Sequence, residues 1–195
     1  MSGEIKARPL LEFSLRRSST IFSVKTNFQA WYNHRMITAY KYKLRPNKAQ
    51  ANQFDEWLNL LRMQYNYRLG ERFNWYESTR CPVDSCSLVS CSIAPVLKPP
   101  DYYWQKRDLL NTKKLFPEYK EIHSQVLQNC VERVKKAFDR YIKADKTGQR
   151  SGKPRFKGKG RYHSFTYTQM KQDCIQGNRI TLPKIGDVKM ILHRP

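Results

Sequence analysis

The sequence predicts an α+β fold in which a helical block is inserted into a small antiparallel β-barrel or sheet. Three observations carry this. Ile37, Ala39, Tyr42 and Leu44 alternate with Lys41, Lys43 and Arg45, as in a half-buried strand. Apolar residues then recur at three- and four-residue steps as far as Tyr141. After the helical block the strand period returns, in SFTYT from Ser164 and in two later runs broken by turn signals. An early strand pairs most economically with late ones, so the helices between them read as an insertion.

Taken in order, residues 1–35 carry Arg16, Arg17, Ser18 and Ser19 with only Glu4 and Glu12 as acids. They read as a disordered extension, and Met36 as the start of the domain. Residues 36–46 form the first strand, stopped by Pro46. The helical lobe spans residues 47–144. Asn47 is its N-cap, and Phe54, Leu58, Leu61, Tyr65, Leu69 and Phe73 mark one long helix, or two with a joint near Gly70. Arg62 and Arg68 fall off that stripe, where solvent is the default. The stretch from Cys81 to Pro100, rich in proline and serine, reads as a long surface loop. Asp101 caps a short helix through Leu110. Ser124 is the candidate N-cap of a further helix, whose stripe is Leu127, Val131, Val134, Phe138 and Tyr141 and whose other face carries Gln128, Arg133, Lys135, Lys136 and Arg140. Residues 145–195 hold a basic loop and the remaining strands, Arg179 to Leu182 and Val188 to Leu192, with a turn at Gly177 and Asn178.

A net charge of +21 on 195 residues sets the class of partner. Self-repulsion of that size disfavours a compact chain, so a polyanion is the first ligand to consider. The charge is concentrated: nine Lys or Arg lie between Arg140 and Arg161 against the single acid Asp145. Glycines and charges together prevent this run from building a core. Phe156 and Tyr162 lie inside it and Phe165 and Tyr167 follow, so phosphate-binding cations stand beside rings on which bases can stack.

Other chemistries find no support. The sixteen Asp and Glu are scattered as single helix charges or caps such as Asp55, Glu56, Glu132 and Asp139, without the convergence a two-metal nuclease needs. His34, His123, His163 and His193 have no nucleophile partner by spacing, and neither a nucleophile elbow nor a phosphate-binding loop occurs. Cys81, Cys86 and Cys91 are spaced C-x4-C-x4-C without a second close pair, so the five cysteines read as reduced structural thiols rather than a zinc site. No apolar run is long enough to cross a membrane, and no hydrophobic signal core stands near the start; the expected location is cytoplasmic, in association with the nucleoid.

Four segments in register, YKYKLRPNKAQ, SQVLQNCVERVKKAFDRYI, GKPRFKGKGRYHSFTYTQ and LPKIGDVKMILHRP, resemble the N-terminal half of the TnpB proteins, the OrfB family of insertion-sequence transposases. The resemblance implies a compact relative of type V CRISPR nucleases: an RNA-guided DNA endonuclease using a transposon-derived guide RNA. It implies a wedge-like β-barrel with an inserted helical recognition lobe of helix-turn-helix type. It places the RuvC-like carboxylates, a zinc ribbon and their Mg and Zn in a second half that this chain does not reach, so no catalytic residue, metal site or cofactor is expected here. A separately encoded nuclease half is then a conceivable partner. Carried over residue by residue, DNA motif reading would fall to Tyr103, Arg107, Ser124 and Gln128, since Gln can pair with adenine and Tyr can contact a thymine methyl. Backbone contacts to RNA or heteroduplex would fall to Lys41, Lys43, Arg45, Lys153, Arg155, Lys157, Lys159 and Arg161, and stacking to Phe156 and Tyr162. The alternatives are a stand-alone DNA- or RNA-binding regulator and a non-functional remnant of an insertion sequence.

Overall fold

The computed structural model describes residues 10–16, 19–28, 36–80, 99–144, 146–170 and 174–192, and gives the course of the backbone alone before residue 41. The strands are β1 Leu10–Arg16, β2 Ser19–Phe28, β3 Met36–Arg45, β4 Ser164–Tyr167, β5 Ile175–Gln176, β6 Arg179–Leu182 and β7 Gly186–Ile191. Between β3 and β4 come the helices α1 Lys48–Ser78, α2 Tyr102–Leu115 and α3 Ser124–Ile142, with a 3-10 turn at Pro117–Lys120. The expected loop with Cys81, Cys86 and Cys91 lies outside the described residues.

All strand pairings are antiparallel, in the order β4-β1-β2-β3-β7-β6-β5. The early strand does meet the late ones, through Leu44 opposite Met190 and Arg45 opposite Lys189. The sheet is open rather than a closed barrel, because β4 and β5 are its two ends. A side chain spans part of the gap: the Tyr167 hydroxyl donates to Pro183 O at 2.9 Å. Residues 10–16 and 19–28, expected within a disordered extension, pair as the strands β1 and β2, with Phe13 opposite Phe22 and Leu11 opposite Val24. The alternation Leu11, Phe13, Leu15 is the sequence signal for it.

α1 begins where Asn47 predicts. The Asn47 side chain accepts from Gln50 N at 2.7 Å and Gln50 Oε1 accepts from Asn47 N at 3.1 Å, a reciprocal capping box. The helix then runs unbroken past Gly70, where glycine costs only about 1 kcal/mol, a penalty that packing on both sides offsets. Its first turns hold the β6–β7 connection, since Gln50 Nε2 donates to Asp187 O and Gln53 Nε2 to Lys184 O. Phe54 and Trp57 pack on Phe165 with ring centroids 6.0 and 5.8 Å apart, and Phe73 packs on Phe138 at 5.9 Å. Leu44 of β3 and Ile180, Leu182, Val188 and Met190 of the C-terminal strands add to the core, all buried.

α3 is capped one residue earlier than expected. His123 is the N-cap, its Nδ1 accepting from Gln125 N at 3.4 Å, while Ser124 is the first helical residue. Its stripe is buried as predicted through Phe138, with Tyr141 partly so. α2 reaches Leu115 rather than Leu110, and Asp101 caps it by accepting from Tyr102 N and Tyr103 N.

Candidate nucleic-acid interface

Three helix arginines, Arg68, Arg72 and Arg133, are spent on contacts inside the fold. Arg68, expected in solvent, is fully buried: Nη1 contacts both Glu71 oxygens at 3.0 and 3.1 Å, and Nη2 reaches Asp108 Oδ2 at 2.7 Å and Thr112 Oγ1 at 3.0 Å. Gln105, also fully buried, donates to Arg68 O and Glu71 Oε2, and its Oε1 accepts from Arg72 Nε at 3.0 Å. This network docks α2 on α1. Burial alone would raise the Asp108 carboxyl, but the hydrogen bonds from Asn111 and Arg68 outweigh it and hold that group below its ordinary value. Burial acts on the Arg72 guanidinium too, lowering it below its ordinary value even though Asp139, Asp101 and Glu71 pull the other way. Arg133 is likewise internal to the fold, donating to Ser164 O and Oγ and to Thr166 Oγ1 to fasten α3 to β4. The exposed charges of α1 include Asp55, Glu56 and Glu77 as well as Lys48, so its outer face is not a basic recognition surface.

The basic run is bound to α1. Lys157 N donates to Asn66 Oδ1 at 2.7 Å and Lys157 O accepts from Asn66 Nδ2 at 2.9 Å, a two-point clamp on the backbone. Lys153 Nζ donates to Glu77 Oε1 at 2.9 Å and lies 4.6 Å from the Phe73 ring centroid. Phe156 meets Phe73 edge to face at 5.8 Å and stays more than half exposed. Arg155, Lys159 and Arg161 point to solvent and Lys157 is half-buried.

Stacking on Tyr162 does not fit this geometry. The side chain is buried, 5.9 Å from Tyr65, with the Arg133 guanidinium 6.0 Å from its ring. Burial first, then the neighbouring Cys130 thiol, pushes its phenol far above the ordinary value. Phe165 and Tyr167 are buried as well, so of the four rings Phe156 alone presents a face to solvent. Cys130 fits the expectation of a structural thiol: it bonds to Leu61 O, and burial raises it to about 11.

On the sheet, side chains of one parity line the core and those of the other face out. Lys41, Lys43 and Arg45 are on the outer side. The register adds two cations that the sequence reading missed: Arg45 stands opposite Lys189, and Lys189 opposite Arg179. All three are exposed, and among the described residues none has a carboxylate within ion-pair reach. Asp187 lies one row away, its Oδ1 accepting from Thr181 Oγ1 at 2.6 Å. Adjacent strands lie about 4.8 Å apart, so three like charges stand side by side. Such pairs are destabilising by a few tenths of a kcal/mol to about 1 kcal/mol each, unless a polyanion supplies the counter-charge. The alternation of Arg179 to Leu182 and of Val188 to Met190 pointed these residues outward; only the register aligns them with Arg45.

The motif-reading candidates divide into two groups. Lys113 Nζ donates to Ser124 Oγ at 2.9 Å, so the end of α2 adjoins the start of α3. At the other end of α2, Tyr102 feels the charges of Glu132, Lys135 and Lys136, although burial is the larger cause of its raised phenol value. The two helices therefore run antiparallel, and Tyr103, ten residues before Lys113, is about 15 Å along the axis from the Ser124 contact. Tyr103 and Arg107 share one exposed face a turn apart; Gln128 is half-buried one turn into α3. Among the described residues no group of three or more His, Cys, Asp or Glu could hold a metal ion, and no helix is long and apolar enough to cross a membrane.

Residues 36–81 match the helix-turn-helix domain of the OrfB family of IS605 type. That span is β3, α1 and the residues just after it, and it is similar to the N-terminal helix-turn-helix region of that family. The matched span holds one continuous helix, α1, rather than two. No curated protein matches the chain.

Proposed function

We propose that this chain binds a guide RNA together with target DNA, as the nucleic-acid-binding region of a TnpB-type protein encoded by an insertion sequence. The observation that carries the reading is the row Arg45, Lys189 and Arg179, exposed and without counter-ions among the described residues, on a chain of charge +21. Lys41 and Lys43 extend that row along β3, and Arg155, Lys159 and Arg161 form a second set of cations along α1. These groups position a phosphate backbone without reading its sequence. Sequence reading falls to Tyr103, Arg107 and Gln128, with Ser124 held by Lys113, and Phe156 offers the stacking face beside the phosphates.

The test is to express the chain with its flanking genomic DNA, purify it and sequence what co-purifies. One discrete RNA mapping beside the gene is the expected result. Heterogeneous nucleic acid would instead favour a regulator that occupies DNA or RNA without a guide. Protein free of nucleic acid, with an affinity for duplex and single strands that is flat in salt, overturns nucleic-acid binding altogether.

A further inference from the structure

Three basic side chains from three separate elements gather at the start of α3. Lys113 stands in the last turn of α2, His123 caps α3, and Lys184 sits in the β6–β7 connection. Lys113 Nζ donates to Ser124 Oγ at 2.9 Å, the His123 ring lies 5.6 Å from that of Tyr167, and the Tyr167 hydroxyl donates to Pro183 O beside Lys184. Burial first, then both lysines, lower the His123 imidazole, and burial followed by Lys184 lowers the Lys113 ammonium. Among the described residues none of the three has a carboxylate within ion-pair reach. An ammonium that is half-buried, with a hydroxyl as its partner and a second ammonium nearby, is a costly arrangement that a bound anion relieves.

The turn that carries Lys184 adds an independent observation. Among the described residues Lys184 alone combines a side chain with a positive φ, of 75°, a conformation that costs a residue with a Cβ about 1 kcal/mol or more. The surroundings impose it: Gln53 Nε2 donates to Lys184 O at 3.2 Å, Tyr167 to Pro183 O, and Ile185 N to Leu182 O at 3.1 Å. Glycine would sit in this turn without strain, as Gly186 does at φ 86°, so a lysine here costs stability and places a cation. Ser124 supplies a further donor. Its exposed hydroxyl accepts from Lys113, which leaves its own proton to donate outward. Two ammonium groups and a hydroxyl, with no carboxylate among them, complement an oxyanion. Ser124 and Gln128 share one face of α3 a turn apart, so a phosphate held at Ser124 brings the adjoining bases of a nucleic acid to Gln128, which an isolated carboxylate would not do. We propose that Lys113, Lys184 and the Ser124 hydroxyl hold one backbone phosphate of bound duplex DNA, fixing the register in which Gln128 meets the bases. The proposal rests on the nucleic-acid reading above and names a site within it.

The full chain and its Lys113→Met, Lys184→Gly and double variants are titrated with duplex DNA over a range of salt. Lys184→Gly melts no lower than the parent, because glycine takes the left-handed conformation freely, so its weaker binding is not unfolding. Each single variant weakens binding, and the double variant makes the slope of log K against log salt shallower by about 0.9, the value for one phosphate, since both lysines serve the same group. A slope shallower by about 1.8, with each single variant giving half of it, would mean two unrelated phosphate contacts and overturn the shared site. Unchanged affinity and slope in the double variant overturn it as well. If the parent binds no DNA, the nucleic-acid reading fails first, and inorganic phosphate is then titrated while the backbone amides of Ser124 and Lys184 are followed by NMR. Saturable shifts of both amides that Lys113→Met abolishes support the phosphate site even on a chain that does not bind DNA; their absence overturns it.

Discussion

At the scale of single residues, the widest gap between sequence and structure is Arg68. Off the apolar stripe of α1, a lone arginine reads as solvated, because an unpaired buried charge is prohibitively expensive. What reverses this is a set of acceptors, two of which, Asp108 and Thr112, lie 40 and 44 residues away on α2. No local pattern could reveal them. Arg68→Met leaves Glu71 and Asp108 facing a non-ionic side chain. The expected loss is about 3 kcal/mol, at the low end for breaking a buried pair because both carboxylates keep some water. Urea unfolding with an unchanged m-value measures it, and a loss below about 1 kcal/mol would show that α2 docks by other means. His123 gives a pH-dependent counterpart. Burial, then Lys113 and Lys184, hold its imidazole below the ordinary value of 6.5, and its Nδ1 must stay unprotonated to accept from Gln125 N. Below pH 6.5 the unfolded chain takes up a proton that the folded chain refuses, so stability falls from that pH down to the lowered folded value and levels off beneath it. Thermal midpoints across that window should slope for the parent and be flat for His123→Asn, which keeps a cap that does not titrate.

At the scale of elements, periodicity was enough for the helices and the C-terminal strands. Asn47 and Asp101 announced their caps, Gly177 its turn, and the stripes of α1 and α3 their buried faces. Periodicity could not show how the basic run is held. Its glycines and charges describe a free loop, but Asn66, 91 residues earlier, takes both the N–H and the C=O of Lys157. Tyr162 was misread for a related reason: composition counts a ring among cations, whereas packing against Tyr65 and Arg133 decides whether the ring has a free face. If the clamp pre-orders the run, Asn66→Ala should remove protection of the Lys157 amide in hydrogen exchange and cost about 1–2 kcal/mol in stability for two lost hydrogen bonds. Binding of single strands should weaken too, because the run would then be ordered only on binding. Retained protection at Lys157 would mean that the contacts of Lys153 and Phe156 suffice.

At the scale of the whole molecule, the location of the charge matters more than its total. The helices spend Arg68, Arg72 and Arg133 on internal contacts, and α3 pairs Lys135 with Asp139 and Lys136 with Glu132. The outer face of the sheet does the opposite, setting Arg45, Lys189 and Arg179 side by side. Pairing across strands joins positions more than 130 residues apart in the chain, which is why composition revealed a polyanion binder and not its surface. A row kept for phosphate should show a stability cost and a binding gain in the same residues. Replacing Arg179 and Lys189 together by Gln relieves the repulsion, so the double variant should be more stable by up to about 1 kcal/mol at low salt, an advantage that fades as salt screens the parent. The same variant should bind nucleic acid more weakly, with the slope of log K against log salt shallower by roughly 1.4 to 1.8 for two lost phosphate contacts. Both effects together identify the row as a phosphate track. Higher stability with an unchanged salt slope would leave repulsion without a ligand and move the polyanion to the cations along α1.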